Sequence, residues 1–235
     1  MDDVDPGRKA AMDPAELTDM LRDWTSDPVA VRVDDAGHLP GPWRPIVIAA
    51  EPAERRETAM ALWNAGFLRL VPRFAAVLRD RLVDVVPYRT ADGPALVYVV
   101  RADDGQYVPW VGYDPRTFEQ PPFWADFPEP LREFLRDVHA GFVSGARTGF
   151  GPARPEQMLT LAEMADYPDG IPGWDEDSDI SSTRLLRISS DGGLLFYCLS
   201  PDLPPGDLAL VYEGDVDPRD LGAELDELMT QRLQR

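Results

Sequence analysis

The sequence has few of the side chains that metal sites and covalent catalysis require. Its 235 residues include one cysteine, Cys198, and two histidines, His38 and His139. A single cysteine excludes an internal disulfide, and the apolar run 194–199 around it favours a buried structural thiol over a nucleophile. The histidines lack zinc-ligand spacing. His139 follows a predicted amphipathic helix and is expected at its end, whereas His38 lies in a Gly-Pro loop and is expected in solvent. We predict neither a metal site nor a cofactor.

Basic start signals and long apolar runs are also missing. The chain begins Met-Asp-Asp-Val-Asp, unlike the basic start of a signal peptide, and no apolar run has membrane-spanning length. We therefore expect a cytoplasmic protein. The one lysine, Lys9, lies far from any glycine-rich loop, and the glycine-rich segment 145–151 fits neither nucleotide-binding fingerprint.

No catalytic set emerges from the sequence. It contains no Gly-x-Ser-x-Gly elbow, and 42 acidic residues make any pair of carboxylates uninformative. The acidic run 175–179 lacks the spacing and the glycine of a calcium loop. We predict a protein without enzymatic activity. The alternative is an enzyme with an unrecognised site in the N-terminal half.

What the sequence has in excess is negative charge. Asp and Glu number 42 against 23 Lys and Arg, which gives a net charge of -19. The excess is greater in residues 121–235, with a net charge of -13, than in residues 1–120, with -6. Such a surface repels nucleic acid and anionic lipid and attracts a basic protein. Acidic excess can also serve solubility alone.

The residue patterns predict an α+β protein with an antiparallel or mixed sheet flanked by helices. Residues 1–12 are expected to be a disordered tail. A proline-rich break at 114–122 divides an N-terminal region, 13–120, from a C-terminal region, 121–235, although the two can also form one continuous domain. Periodicity predicts helices at 13–24, 51–64, 72–82, 128–138, 155–165 and 217–233, and strands at 30–33, 46–49, 83–88, 95–101, 107–111, 184–188, 194–199 and 208–212.

One segment has the composition of a docking surface. Between residues 163 and 179 the chain has seven acids, no base and two aromatic residues. Aromatic side chains supply anchoring area, and charges steer a partner of opposite sign. The predicted partner-binding residues are Tyr167, Asp169, Trp174, Asp175, Glu176, Asp177 and Asp179. Alternatively, Trp174 folds back onto the core and the acids only solvate the loop.

The C-terminal region resembles the SUKH superfamily, which includes regulators of cell-wall synthesis. Four motifs carry the resemblance in the family's order: the helix opening 127–135, the segment 159–163, the Asp-Gly-Gly hairpin after Ser190, and the closing acidic helix 217–233. The chain departs from the family pattern at Leu131, where an aromatic is usual, and at Ala140, where asparagine precedes the glycine. Residues 1–120 show no such match.

The resemblance implies a function as well as a fold. Many bacterial members of the superfamily are similar to immunity proteins, which bind and neutralise a toxin that is often a nuclease. An acidic inhibitor without catalysis agrees with the charge of this chain. Two alternatives stay open: a scaffold or regulatory adaptor of the same fold that binds a cellular protein, and the enzyme mentioned above.

Overall fold

The computed structural model describes residues 12–22, 25–144, 149–174 and 178–234. Its strands form two antiparallel sheets flanked by helices, which confirms the predicted α+β class. The first sheet consists, in order, of β1 (Val29–Ala30), β2 (Leu82–Thr90), β3 (Gly93–Arg101), β4 (Tyr107–Tyr113) and β5 (Phe142–Val143). The second consists of β6 (Leu186–Ser190), β7 (Phe196–Leu199), β8 (Asp207–Tyr212) and β9 (Asp215–Asp220).

The helices are short, as the many prolines predict. The α-helices are α1 (Pro14–Arg22), α2 (Arg44–Ile48), α3 (Pro52–Met60), α4 (Ala65–Leu70), α5 (Pro72–Arg81), α6 (Glu129–Glu133), α7 (Leu161–Met164) and the C-terminal helix (Leu221–Gln231). A π-helical turn, Phe134–Val138, continues α6. None of these helices in the described ranges is both long and apolar enough to cross a bilayer.

The central strand β3 is buried on both faces, which explains its continuous apolar sequence. Leu96, Tyr98 and Val100 face the main hydrophobic core. The opposite face belongs to a smaller cluster that Leu17 and Leu21 of α1 help to cover. The hairpin between β3 and β4 turns at Asp104-Gly105, where the sequence predicts it.

Backbone hydrogen bonds connect the two sheets through residues 149–153. The amide of Ser144, next to β5, donates to the Gly149 carbonyl at 3.1 Å, and the Phe150 amide donates to the Ser190 carbonyl of β6 at 2.7 Å. Both regions also share one hydrophobic core, which contains Trp43 as well as residues of the C-terminal helix. The proline-rich stretch 114–122 therefore lies between segments that pack together.

A buried carboxylate adds a polar connection between the regions. Asp226 of the C-terminal helix accepts hydrogen bonds from the backbone amides of Arg73 and Phe74, at 3.1 and 2.8 Å. It also pairs with the Arg73 guanidinium at 3.0 Å. These amides lie in the first turn of α5, whose unpaired donors an acceptor stabilises. One carboxylate of the acidic C-terminal region thus caps a helix of the N-terminal region.

Two predictions in the N-terminal half are wrong. Residues 46–48 belong to α2 and not to a strand, and Ala49 follows the helix, because Pro45 in the first turn favours a helix and a short apolar run fits either structure. The helix predicted over 51–64 ends at Met60, and a separate helix, α4, begins at Ala65 and contains Gly66. A Cβ on Gly66 would lie only 3.2 Å from Pro130, so close packing against α6 explains the glycine.

Two further corrections concern the C-terminal half. The helix predicted over 155–165 is a 3-10 turn, Pro155–Gln157, followed by α7, since the chain is extended at Thr160. Residues 215–220 form β9 and the last helix begins at Leu221, because pairing with β8 outweighs the low strand propensity of an acidic, proline-containing segment. Of the predicted tail, residues 1–11 lie outside the described ranges, and Met12 is buried.

Candidate functional site

The predicted acidic segment begins at a well-capped helix. The Thr160 hydroxyl accepts a hydrogen bond from the Glu163 amide, and the Glu163 carboxylate accepts one from the Thr160 amide at 2.8 Å. This reciprocal capping box fixes the start of α7. The helix ends at Met164, and Asp166, two residues later, has a φ of 60° in the left-handed region that is common just after helix ends. The chain is thereby directed across the outer face of the second sheet.

Trp174 attaches the segment to that face. Its indole N–H donates to the Ile180 carbonyl at 2.9 Å, and the Ile171 amide donates to the Ser182 hydroxyl at 2.9 Å. The Trp174 ring packs, half-buried, against a hydrophobic cluster that includes Cys198 of β7. Because these contacts hold both ends of the turn, Trp174 is a fixed part of the surface.

A tight hairpin turn between β8 and β9 faces Trp174. Tyr212 pairs with Asp215, so Glu213 and Gly214 form a two-residue loop with φ of 51° and 98°. Positive φ at both positions is typical of a type I′ turn, in which asparagine or glycine usually occupies the first position. Here that position has a glutamate, and its carboxylate is exposed.

Between the segment and the hairpin lies a cavity of about 810 Å³, which we call the acidic groove. Three carboxylates line it, those of Asp179, Glu213 and Asp215. Its apolar lining comes from Ile171, Pro172, Trp174, Ile180, Val216 and Pro218. No lysine or arginine belongs to the described residues that line this groove, so its field is negative.

A second cavity adjoins the groove, and we call it the apolar hollow. It has a volume of about 360 Å³ and is lined by Leu161, Met164, Ala165, Leu194, Phe196 and Val211. Ile171, Trp174, Glu213 and Gly214 line both cavities, so the two are contiguous. Leu194, in the β6–β7 turn, is 62% exposed although it is a large apolar residue. The outer face therefore offers a charged site beside an apolar one.

The structure brings together only some of the predicted partner-binding residues. Trp174 and Asp179 line the acidic groove, whereas Tyr167 and Asp169 are exposed and lie outside the groove and the hollow. Asp175, Glu176 and Asp177 lie outside the described residues. The Trp174 ring packs on the sheet, as the alternative interpretation expects, and it also borders open space, so its role in docking stays a prediction.

The sequence interpretation missed the other wall of the groove. Glu213 and Asp215 lie more than thirty residues after Trp174 and reach it only because β9 pairs with β8. A usable signal was present: Glu213-Gly214 follows the apolar run of β8, as a hairpin turn does. The prediction of a helix from residue 217 hid that turn.

His139 and Cys198, whose side chains could act as a base or a nucleophile, lie in the core. The Trp63 indole donates to the Tyr98 hydroxyl at 3.1 Å, and that hydroxyl is 2.8 Å from Nε2 of His139. Burial lowers the pKa of His139 to about 3, although a backbone hydrogen bond with Tyr113 opposes the shift. The imidazole is therefore neutral at pH 7, and its Nε2 forms the hydrogen bond with the Tyr98 hydroxyl. His139 is fully buried, so this hydrogen-bonded chain stabilises the core and has no contact with solvent.

Cys198 is also fully buried, as the sequence predicts, and burial raises the pKa of its thiol. A thiol in this state is protonated at pH 7 and is a poor nucleophile. His38, at the end of a 3-10 turn, is exposed, as expected. Within the described residues, no three His, Cys, Asp or Glu side chains are arranged to hold a metal ion.

The chain was compared with protein families, curated proteins and solved structures. No protein-family model, no curated protein and no solved structure matches the chain. The resemblance to the SUKH superfamily therefore rests on the four motifs quoted above and stays a prediction. The acidic groove and the apolar hollow are the features of the structure that bear on function.

Proposed function

We propose that the protein binds and neutralises a basic protein toxin, as an immunity protein does, and catalyses no reaction itself. The observation that carries the proposal is the acidic groove beside Trp174. It joins three carboxylates to a half-buried aromatic side chain on one exposed face. Interfaces combine these two features, since aromatic residues anchor a partner and charges orient it.

The charge of the whole chain supports a basic partner. A net charge of -19 accelerates the encounter with a positively charged protein and raises the local concentration of such a protein near the surface. A toxin that acts on nucleic acid has a basic cleft, and carboxylates can occupy the positions of phosphates in such a cleft. A nuclease is therefore the toxin class that fits the groove best.

The choice of neutralisation over other kinds of binding rests on the SUKH resemblance. An inhibitor needs only complementarity to its target, and the two side chains best suited to chemistry, His139 and Cys198, are both closed to solvent. The proposal places the protein in the cytoplasm, where it would meet a toxin made by its own cell or delivered by a sibling cell.

The test is capture followed by a growth assay. Tagged protein is used to purify partners from a lysate of its native cells at low and at high salt, and the captured proteins are identified by mass spectrometry. We expect one basic protein that elutes with salt, is encoded next to this chain, and stops growth when expressed alone but not together with this chain. A basic partner without toxicity would instead favour the adaptor of the same fold, and the absence of a stoichiometric basic partner would contradict the proposal.

A pair of charge variants tests the role of the groove. Asp179→Asn combined with Asp215→Asn removes two of its carboxylates. We expect the association rate constant with the captured protein to fall several-fold at low salt, because steering depends on local charge. The matched control combines Asp34→Asn with Asp35→Asn, two exposed acids in the N-terminal half. Equal effects of both pairs would show that only total charge matters.

A further inference from the structure

The apolar hollow is exposed apolar surface that the fold itself leaves uncovered. Its walls are apolar side chains from α7, the β6–β7 turn and strands β7 and β8. At about 360 Å³ it falls within the usual range for sites that take small molecules or side chains. Leu194 at its rim gains little from folding, since more than half of its surface stays in water.

The position of Glu213 indicates what kind of segment enters the hollow. Glu213 contributes to both cavities, and it is the only charged residue among the described residues of the hollow. Beyond it, the groove adds Asp179 and Asp215. A partner side chain seated in the hollow would therefore have its sequence neighbours next to carboxylates. Charge complementarity requires these neighbours to be lysine or arginine.

We propose that the apolar hollow holds one large apolar side chain of the basic partner, and that Glu213 pairs with an arginine or lysine beside it. The partner's recognition element is thus a short segment in which basic and aromatic residues are adjacent. This inference rests on the proposed function and adds to it the chemistry of the contact. Charge attracts the partner, and the hollow selects among basic segments.

Three synthetic peptides test the selection directly. Their sequences are Arg-Trp-Arg-Trp-Arg, Arg-Gly-Arg-Gly-Arg and Glu-Trp-Glu-Trp-Glu, each with blocked ends. Titration into the ¹⁵N-labelled full chain is followed by the amide signal of Gly214 and the indole signal of Trp174. We expect the first peptide to bind on the order of tenfold more tightly than the second, because burial of an aromatic side chain adds to the charge pairing. The third peptide should not bind.

Variants separate the two parts of the contact. Glu213→Gln keeps the side-chain shape and should weaken the first peptide about three- to fivefold, which is typical of an exposed charge pair. Leu194→Ser should bring the first peptide close to the affinity of the second. Asp104→Asn, a matched loss of charge in the turn between β3 and β4, should change neither affinity. Because Leu194, Glu213 and Asp104 are exposed, all three variants should fold.

Several results would overturn the inference. Equal affinity for the two arginine peptides would mean that the hollow takes no part, and unchanged Gly214 and Trp174 signals would place any binding elsewhere. A dimer in sedimentation experiments that Leu194→Ser dissociates would assign the hollow to a second copy. If the captured basic toxin binds Leu194→Ser and Glu213→Gln like the unmodified chain, this inference fails while the proposed function stands. If no basic toxin exists, the proposed function fails, and the peptide results still decide the chemistry of the hollow.

Discussion

Trp63 and Trp174 illustrate the difference between the core that both regions share and the outer face of the second sheet. Both indole N–H groups are hydrogen-bonded, at 3.1 and 2.9 Å. Trp63 is 5% exposed, and its ring centre lies 5.0 Å from those of Phe134 and Phe142. Trp174 is half-buried and borders two cavities. The same residue type fills space in one region and leaves space open in the other.

Charge differs between the two regions in the same way. Beside the first sheet, the buried carboxylate of Asp84 is paired: Arg55 donates two hydrogen bonds to it, of 2.8 and 2.7 Å. In the acidic groove, three carboxylates face solvent with no arginine among the residues that line it. Open volume and charge of one sign therefore distinguish the proposed docking surface from the surface beside the first sheet.

The largest expected effect comes from truncating the two tryptophans. Trp63→Ala should lower the free energy of unfolding by about 3–5 kcal/mol, because it leaves a cavity in a closely packed aromatic cluster. Trp174→Ala should cost less than half as much, since part of its surface is already in water. Urea denaturation followed by circular dichroism measures both values. Equal losses would break the comparison, because Trp174 would then be a core residue.

A second prediction concerns the pH dependence of stability. His139 is neutral and fully buried with its pKa lowered to about 3, whereas in the unfolded chain its pKa is near 6.5. Between these values the unfolded state binds the extra proton, so stability falls as the pH drops below about 6.5, by up to about 1.4 kcal/mol per pH unit. From pH 6.5 to 4.5 this amounts to roughly 2–3 kcal/mol.

The matched variant for this prediction is His139→Gln, which keeps an acceptor for the Tyr98 hydroxyl and cannot titrate. Its unfolding free energy, measured by urea denaturation across the same pH range, should fall less steeply than that of the unmodified chain. Parallel curves would show that other groups cause the pH dependence. The acidic groove lies on the other sheet and should not affect this difference.

The strands of the first sheet could be predicted because their residues are buried on both faces. The runs 83–88, 95–101 and 107–111 are rich in Val and Tyr, and β2, β3 and β4 contain them. The run 46–49 is also apolar, but its residues 46–48 lie in α2. Local sequence does not distinguish these cases, because Ile46 reaches the main core equally well from α2.

The candidate site could be predicted only in part. The acids and the aromatic side chain of the segment 163–179 are adjacent in sequence, so composition reveals them. Glu213, Leu194 and Phe196 come from two other turns and strands, and sheet pairing alone brings them to Trp174. The β9 strand was missed because Asp215, Asp217 and Pro218 have low strand propensity, and its pairing with β8 depends on the tertiary fold.

A third and smaller effect compares a buried acid with an exposed one. Asp226→Ala removes the acceptor of two backbone amides at the start of α5 and should cost about 1–2 kcal/mol of unfolding free energy. Asp217→Ala breaks an ion pair with Arg219 in which both side chains are about half exposed, so its effect should stay within about 0.5 kcal/mol. Thermal and urea denaturation measure the two. A larger loss for Asp217 would contradict the view that the acids of the outer face contribute little to folding.

The smallest expected effect has the opposite sign and concerns Glu213. Its φ of 51° is a conformation that costs a residue with a long side chain about 1 kcal/mol, whereas asparagine adopts it more easily. Glu213→Asn should therefore stabilise the fold by about 0.5–1 kcal/mol. Asp215→Asn removes an equal charge at a position without positive φ, and it controls for relief of charge repulsion.

If Glu213→Asn raises the unfolding free energy more than Asp215→Asn does, the hairpin turn keeps its glutamate at the expense of stability. In the core around Trp63, neither Tyr98 nor His139 has a positive φ, and the hydrogen bond between them lies within the packed aromatic cluster. For a residue that is unfavourable for folding and lines two open cavities, the best explanation is the proposed contact of its carboxylate with a partner. Equal effects of the two variants would remove this argument, and Glu213 would then be only one acid among many on the surface.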